Sequence, residues 1–193
     1  MKKELKHIAI ILDGNRRWAK KYHMPAAKGH EKGFKKIADL LEWGIELKIK
    51  EFTLYCFSTE NFKREKKEVD NLFNLFRKQF DSFSKEKVIH DNKVRINVIG
   101  NIHMFPKDMQ NKMKDIMKKT KGYKNYRLNL ALAYGGRSEI VDAVKHMLQD
   151  KKVNINKISE NTIRKNLYLS DEPDLLIRPG GEQRLSNFLT WQS

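Results

Sequence analysis

The sequence predicts a single α/β domain in which a central, mainly parallel β-sheet is flanked by helices. Three observations support this fold class. The chain has 193 residues, of which 39% are hydrophobic, and this is enough for one sizeable core. Short apolar runs alternate with longer segments of helical periodicity, which favours crossover connections and a parallel sheet. No repeat, low-complexity tract or linker divides the chain, so residues 1–193 are expected to form one domain.

Five short apolar runs predict the strands. Each run is bounded by polar or turn-forming residues and is shorter than an ordinary helix. In chain order they are residues 7–12, 51–57, 93–99, 127–133 and 174–177.

The segments between these runs predict helices, because their apolar residues recur at intervals of three and four. The clearest are residues 33–47 and the phenylalanine-rich residues 69–83. Further helices are predicted at 106–118 and 138–148, with a short one capped by Ser159.

Polar clusters follow four of the predicted strands. They read DGNRRW, STENFKR, YGGR and RPGGEQR, after the first, second, fourth and fifth runs respectively. In parallel sheets, ligands bind beyond the carboxyl ends of the strands. The sequence therefore predicts one site that is assembled from separate loops at one edge of the sheet.

The first cluster combines a carboxylate, Asp13, with Arg16 and Arg17. Guanidinium forks match phosphate oxygens bidentately, and a carboxylate suits Mg²⁺. A metal ion between the carboxylate and a diphosphate would offset the repulsion between these two anions. The alternative interpretation is a surface turn with two solvated arginines.

The other clusters have simpler alternatives as well. Ser58, Thr59 and Asn61 are typical helix N-caps, and this is at least as good an interpretation of STENFKR as a binding site. The adjacent glycines of RPGGEQR let backbone N–H groups approach an anion, but they also suit an ordinary turn. His30 is placed near a predicted helix start, where an anion would be favoured, although a lone histidine there is more often structural.

The charge is strongly basic. Forty Lys and Arg residues against 24 Asp and Glu give a formal net charge of +16, which favours polyanionic partners such as phosphorylated molecules, acidic membrane or nucleic acid. Much of this charge is expected to be solvated surface, as in KREKKEVD at residues 63–70. No recognised nucleic-acid motif accompanies it, so nucleic acid is not the expected partner.

The single cysteine, Cys56, excludes an internal disulfide and is interpreted as a buried, inert thiol. The first apolar run is cut short by Asp13 and is too short for a signal peptide or a membrane span. The sequence therefore predicts a cytoplasmic protein whose contact with membranes is at most peripheral.

Taken together, five motifs resemble the cis-prenyltransferase family, of which undecaprenyl diphosphate synthase is the bacterial member. They are HIAIILDGNRRWAKK, GHEKG, LYCFSTENFKR, AYGGR and DLLIRPGGEQRLSNFLTWQ, and they occur in the family's order. The resemblance implies the family's fold, with an apolar tunnel walled by the helix at residues 69–83. It also implies a Mg²⁺-dependent condensation of isopentenyl diphosphate with an allylic diphosphate, each step adding a cis double bond.

The resemblance also implies roles for individual residues. Asp13, with Mg²⁺, would help the allylic diphosphate to leave, and Asn61 with Ser58 would lie where a proton is removed. The allylic diphosphate would be held by Gly14, Asn15, Arg16, Arg17, Trp18 and His30. Isopentenyl diphosphate would be held by Arg178, Arg184 and Ser186, next to Leu185. The remaining binding residues would be Thr59, Glu60, Phe62 and Arg64.

The chain departs from the family pattern in three places. Ala26 stands where the family usually has an arginine, so one diphosphate contact is missing unless Lys28 or Arg16 substitutes for it. Pro179 stands where threonine is common. Family members continue for tens of residues beyond the position of Ser193, with a further carboxylate and an arginine-glycine tail that reaches the partner subunit.

The sequence therefore predicts a cis-prenyltransferase that forms a homodimer at full length. The rival hypothesis is a catalytically weak or inactive diphosphate-binding fragment or subunit of such an enzyme.

Overall fold

The fold is built on one parallel sheet. The computed structural model describes residues 4–150 and 153–193. The 5-stranded sheet has the order β3-β4-β2-β1-β5, and every neighbouring pair is parallel. Its strands are β1 (His7–Ile11), β2 (Glu51–Ser58), β3 (Val94–Ile99), β4 (Tyr126–Tyr134) and β5 (Leu175–Ile177). The predicted α/β class and strand order along the chain are confirmed.

Helices connect the strands. They are α1 (Asn15–Lys21), α2 (Ala26–Glu46), α3 (Lys66–Phe83), α4 (Lys87–Asp91), α5 (Lys107–Thr120), α6 (Gly136–Gln149) and α7 (Glu160–Asn166). A 3₁₀ helix, Thr59–Lys63, continues directly from β2. Among the described residues, no helix combines the length and the apolar composition needed to cross a bilayer.

The sheet is covered on both faces, and β1 shows how. Ile8 and Ile10 point into a large core with α2, α3 and α5, whereas Ala9 and Ile11 point into a second cluster on the other face. Because successive side chains of a strand point to opposite faces, a strand that is buried on both sides reads as a continuous apolar run. The first strand could therefore be identified from its continuous apolar run, although apolar and polar residues do not alternate in it.

Helix α2 begins at Ala26, seven residues before the predicted start at residue 33. The glycines in this first part lower its helix propensity and hide the pattern. They are required by packing, because a Cβ at Gly29 would lie 2.1 Å from the backbone oxygen of Asn15, and one at Gly33 would lie 2.5 Å from Asn15 Oδ1. The two glycines therefore allow α1 to lie directly against α2.

Two short helices, α1 and α4, were not predicted. Helix α1 is polar and only 7 residues long, and it follows Gly14, whose φ of 84° is favourable only for glycine. The prediction that the first polar cluster is a loop is therefore wrong. Arg16, Arg17 and Trp18 lie on a helix that begins immediately behind Asp13 and Gly14.

The phenylalanine-rich helix α3 packs into the larger core. Phe57 of β2 lies between several rings, with centroid distances of 5.8 Å to Phe76 and 5.7 Å to Phe105. An elongated groove of about 830 Å³ runs between α2 and α3, and Phe34 and Leu72 line it. The apolar tunnel implied by the family resemblance stays a prediction.

Candidate active site

The clusters after β1 and β5 meet at the carboxyl ends of the strands. Arg178 donates from Nε to Asp13 Oδ2 at 2.8 Å, and both side chains are largely buried. Strands β1 and β5 are neighbours in the sheet, which is why residues 165 positions apart come into contact. The loop after β5 lies close to this carboxylate because residue 180 is glycine: a Cβ there would lie 2.1 Å from Asp13 Oδ1.

Arg178 also organises the loop that follows it. Its Nη1 donates to Ser186 Oγ at 2.9 Å and to the backbone oxygen of Arg184. The φ of Ser186 is 51°, so the loop turns sharply at this position. One guanidinium therefore joins the carboxylate of the first cluster to the hydroxyl of the last.

Glu182 holds the two outer arginines. It accepts from Arg17 Nη1 at 3.4 Å and from Arg184 Nη1 at 2.7 Å. Arg17 Nη2 is also 3.8 Å from Asp13 Oδ2. These guanidinium groups are more than half exposed, so an incoming anion can reach them.

A second group of charges forms around Glu68 on α3. Its Oε1 accepts from Arg64 at 2.9 Å and lies 3.9 Å from Arg16 Nε and 3.8 Å from His30 Nε2. Burial, followed by the charges of Arg64 and Arg16, holds the pKa of His30 below its ordinary value, although Glu68 acts in the opposite direction. His30 Nε2 is buried and has no hydrogen-bond partner among the described residues.

The cluster after β2 also contributes residues to the site, among them Ser58, Glu60 and Asn61. Asn61 Oδ1 accepts from the backbone N–H of Ser58 at 3.0 Å, so the N-cap interpretation holds for this pair. Burial acts to raise the pKa of Glu60, but hydrogen bonds from its own backbone, from Ser58 and from Asn187 outweigh it and lower that pKa. Phe62 packs on Phe57, with ring centroids 4.9 Å apart.

Two adjoining cavities open at this edge of the sheet. One, of about 800 Å³, is lined by charged groups that include Arg16, Arg17 and Arg184. The other, of about 580 Å³, combines polar groups with apolar walls from Phe34 and Phe57. The residues that line both are Leu12, Asp13, Asn15, His30, Arg64 and Arg178.

Four of the predicted site residues, Trp18, Thr59, Phe62 and Leu185, do not line either cavity. Trp18 packs on Tyr22, with ring centroids 4.8 Å apart, and Lys32 Nζ lies 4.6 Å from the Trp18 ring centroid. Leu185 is 42% exposed, and Thr59 lies at the start of the 3₁₀ helix. Their side chains are not placed to contact a ligand in these two spaces.

The structure adds residues that the sequence did not assign to the site. Glu68 was interpreted as part of a solvated face, and this is wrong because its carboxylate is only 21% exposed and pairs with Arg64. The spacing of four residues between the two was the available signal. Arg137 and Asn187 line the smaller cavity, and Asn187 Oδ1 accepts from the backbone N–H of Arg137 at 2.9 Å.

Cys56 also lines the smaller cavity. Burial raises the pKa of its thiol to about 12, and Sγ donates to the backbone oxygen of Leu54 at 3.4 Å. The thiolate that a nucleophile needs is therefore disfavoured, in agreement with the prediction of an inert cysteine.

The departures from the family pattern lie at the same edge. Ala26 begins α2 and lines the larger cavity, so its missing guanidinium would have faced this space. Arg16 lines it as well. Lys28 pairs with Glu31 at 3.2 Å and does not line it.

The residues of this site fit a magnesium ion. Among the described residues, no group of three or more His, Cys, Asp or Glu side chains could hold a metal. One carboxylate is sufficient for Mg²⁺, since the ion keeps several waters and takes further oxygens from substrate phosphates. Asp13 Oδ1 is buried and has no partner in the part of the chain that the structure describes, so an oxygen ligand is available.

Comparisons with known proteins agree with this geometry. A family model described as putative undecaprenyl diphosphate synthase matches residues 11–193. The tritrans,polycis-undecaprenyl-diphosphate synthase (geranylgeranyl-diphosphate specific) of Pyrococcus horikoshii is 50% identical over 192 residues, which is 97% of this chain and 73% of that protein. The protein of the same description from Methanocaldococcus jannaschii is 44% identical over 195 residues, covering 97% of this chain and 70% of that protein.

Solved structures resemble the whole fold. Lavandulyl diphosphate synthase from Lavandula x intermedia, in complex with dimethylallyl diphosphate, superimposes with a TM-score of 0.93 at 33% identity, over 98% of this chain and 83% of that one. A probable undecaprenyl diphosphate synthase from Campylobacter jejuni gives a TM-score of 0.82 at 34% identity, over 98% and 82%. The chain therefore belongs to the undecaprenyl diphosphate synthase family of prenyltransferases.

Proposed function

We propose that this protein condenses isopentenyl diphosphate with an allylic prenyl diphosphate to make a cis-polyprenyl diphosphate. The observation that carries the proposal is the contact between Asp13 and Arg178 at the junction of two cavities. Two bound diphosphates need two adjacent cationic sites, and the negative charge of a carboxylate between these sites must be neutralised. The arginines of α1 and of the loop after β5 supply those places.

The allylic diphosphate is assigned to the larger, charged cavity. Arg16 and Arg17 offer guanidinium forks there, and Asn15 and the backbone at Gly14 lie at the start of α1. His30 contributes an imidazole whose lowered pKa favours the neutral form before the ligand binds. A bound diphosphate would raise this pKa and favour the protonated ring, which donates a hydrogen bond to it.

Isopentenyl diphosphate is assigned to the loop after β5. Arg184 is exposed toward the larger cavity, and Arg178 with Ser186 borders the smaller one. Arg178 thereby lies between the two diphosphates, where one cation serves both. Phe34, Phe57 and Leu72 provide apolar surface in the smaller cavity for the hydrocarbon groups.

A magnesium ion bound by Asp13 and substrate oxygens would neutralise charge on the allylic diphosphate as it leaves. The fixed arginines act in the same direction, because they face oxygens on which charge develops in the transition state. Each charge-assisted hydrogen bond contributes about 1.5–3 kcal/mol. The loss of one well-placed arginine is therefore expected to cost roughly tenfold to a hundredfold in rate.

The reaction joins C4 of isopentenyl diphosphate to C1 of the allylic group, and a proton then leaves C2. Asn61 and Ser58 line the smaller cavity, where this carbon would lie. Amide and hydroxyl groups are weak bases, so their role is to position the two substrates and the proton acceptor. The departing diphosphate is the strongest base that the site would contain.

The allylic primer is proposed to be geranylgeranyl diphosphate, because the relatives from Pyrococcus horikoshii and Methanocaldococcus jannaschii are described as specific for it. We also propose that the full protein works as a homodimer and contacts membranes peripherally. The chain spans 73% of the length of the Pyrococcus horikoshii relative.

The test is Asp13→Ala, assayed with labelled isopentenyl diphosphate and with farnesyl or geranylgeranyl diphosphate. Product formation should fall about a thousandfold, which corresponds to about 4 kcal/mol of lost stabilisation of the leaving diphosphate. Asp115→Ala on α5 is the matched control, since that carboxylate pairs with Lys119 on the surface, away from both cavities. Full activity of Asp13→Ala would refute the proposed role.

The rival hypothesis of a diphosphate-binding fragment predicts a different result. It expects the wild-type chain to bind both diphosphates and to form no product, with Asp13→Ala weakening only the binding. Extending the chain with downstream sequence and measuring turnover again separates an incomplete enzyme from a binding subunit.

A further inference from the structure

The edge of the sheet opposite the candidate active site is also basic. Because all five strands are parallel, the residues that precede them lie together at the edge where the strands begin. We define the basal face by five exposed cations at this edge, Lys48, Lys50, Lys93, Arg95 and Lys124; Lys6 is exposed there as well but pairs with Glu4. They come from the starts of three different strands, so only the tertiary structure brings them together.

These cations are not balanced locally. Among residues 4–150 and 153–193, none of the five forms an ion pair. The carboxylates at the same edge have other partners. Glu51 lies 3.1 Å and Asp171 3.0 Å from Arg127, Glu4 lies 3.2 Å from Lys6, and Glu172 lies 3.3 Å from Arg164. Asp174 Oδ2 accepts from the backbone N–H groups of Lys6 and His7 at 2.9 and 3.0 Å. The exposed carboxylates Glu46 and Asp91 lie two residues before Lys48 and Lys93 in the chain, and they are fewer than the five cations of the basal face.

The basal face contains a polar groove of about 580 Å³ between Lys50, Arg95 and Lys124. Tyrosine rings support the lysine stems there. Lys50 Nζ lies 4.7 Å from the ring centroid of Tyr126, and Lys93 Nζ lies 5.2 Å from that of Tyr123. An anionic headgroup has both the room and the cations that it needs in this groove.

An exposed apolar pair adjoins the basal face. Trp43 and Leu47, one helical turn apart at the end of α2, are 53% and 71% exposed. Leu47 leads directly through Lys48 to Lys50, and Lys36 Nζ lies 6.0 Å from the Trp43 ring centroid. A tryptophan and a leucine flanked by lysines are typical of a surface that enters the interface of a bilayer.

The direction in which a product chain would grow also favours a bilayer as the partner of the basal face. The groove between α2 and α3 shares Phe34 and Leu72 with the smaller cavity of the site. A further cavity of about 130 Å³ continues from it between Phe34 and Ile89 of α4, the helix that leads into β3 at the basal edge. A polyprenyl chain that grows along α2 and α3 therefore points toward the basal face.

We propose that the basal face, with Trp43 and Leu47, docks on the surface of an anionic lipid bilayer. The lysines lie in the headgroup region and the apolar pair enters below it, while the diphosphate site at the opposite edge stays in water. The proposal rests on the proposed reaction only for the direction of the chain. The charge, the exposure and the groove stand independently of it.

The test is co-sedimentation with vesicles of phosphatidylcholine alone or with 30% phosphatidylglycerol, at low and at high salt. The wild-type chain should bind only the anionic vesicles, and salt should release it. Lys48→Gln/Lys50→Gln/Lys124→Gln should weaken this binding about a hundredfold, since each lysine near an anionic surface contributes about fivefold. Trp43→Gln/Leu47→Gln should also weaken it.

Matched controls distinguish this surface from general charge and exposure. Lys107→Gln/Lys114→Gln/Lys165→Gln removes three exposed lysines elsewhere, and Val141→Gln/Leu148→Gln removes an apolar pair of similar exposure on α6. Both should bind vesicles like the wild type. All four variants should keep the condensation activity in solution, and circular dichroism should show that each is folded.

Equal loss in the basal and control variants would overturn the proposal, as would binding that ignores the anionic lipid. Binding of single-stranded RNA by the basal lysines without vesicle binding would overturn it in favour of a nucleic-acid surface. Failure of the condensation assay alone would instead count against the proposed function.

Discussion

The two edges of the sheet are both cationic, but their cations are held differently. At the edge with the candidate active site most of the cations are arginines, and carboxylates fix several of them: Arg178 contacts Asp13, and Arg184 contacts Glu182. On the basal face most of the cations are lysines, and none of them has a carboxylate partner among the described residues.

This difference indicates two kinds of anion recognition. A fixed guanidinium fork matches the oxygens of one phosphate group at one place, whereas lysines on flexible stems attract an extended anionic surface without defined geometry. At least two separate groups of cations therefore contribute to the net charge of +16. Exchanging the type of cation or removing a carboxylate at each edge tests this comparison.

The largest effect is expected for Arg178→Lys. Lysine keeps the charge but cannot contact Asp13, Ser186 and the backbone of Arg184 at the same time. We expect kcat/KM for isopentenyl diphosphate to fall about a hundredfold, measured by steady-state kinetics. Lys50→Arg is the matched control, and it should change neither kinetics nor vesicle binding. Similar kinetics for Arg178→Lys and the wild type would show that the fork geometry is not used.

A smaller effect is expected for Glu182→Gln. This carboxylate fixes Arg17 and Arg184, but both guanidinium groups are more than half exposed, and exposed pairs contribute about 0–1 kcal/mol. KM for isopentenyl diphosphate should therefore rise by no more than about fivefold. Glu160→Gln on α7 serves as the control. A loss as large as that of Arg178→Lys would mean that Glu182 contacts the substrate or its metal.

The smallest effect is a pH dependence of ligand binding that involves His30. Its pKa is held low in the free protein by burial and by Arg64 and Arg16, and a bound diphosphate would raise it. Binding therefore takes up a proton, and affinity should increase from pH 8 to pH 6 by less than about threefold.

Calorimetry with an unreactive allylic diphosphate analogue, in buffers of different ionisation enthalpy, measures this proton uptake directly. His30→Gln should remove the part that belongs to His30, whereas the exposed His103→Gln should not. Unchanged uptake in His30→Gln would assign the proton to the ligand or to another group.

The sequence specified much of the fold. Apolar runs such as residues 51–57 and helical spacing such as residues 69–83 identified the main strands and helices, because burial on one or two faces leaves a periodicity that can be read locally. The short helices α1 and α4 and the first turns of α2 were missed. These segments are too short, or too rich in polar residues and glycine, to show an apolar periodicity, and contacts with distant elements decide their conformation.

The residues of the candidate site also divide into those that the sequence identified and those that it did not. Asp13 and Arg178 could be named from motifs, since each closely follows a strand whose end lies at the ligand-binding edge of the sheet, and Ser186 belongs to the same motif as Arg178. Glu68 could not be assigned, because its partners Arg16 and His30 belong to other helices. Trp18 was assigned, but the direction of the helix carries its ring to Tyr22.

By itself the sequence determined the element order, the family and the chemical character of the strand-end clusters, because these depend on residue types and short spacings. Only the tertiary structure decided which carboxylate holds which arginine, and that lysines from the starts of three strands form one face. Such pairings depend on strand order and on helix direction, which bring together residues far apart in the chain, and no local pattern encodes these distances.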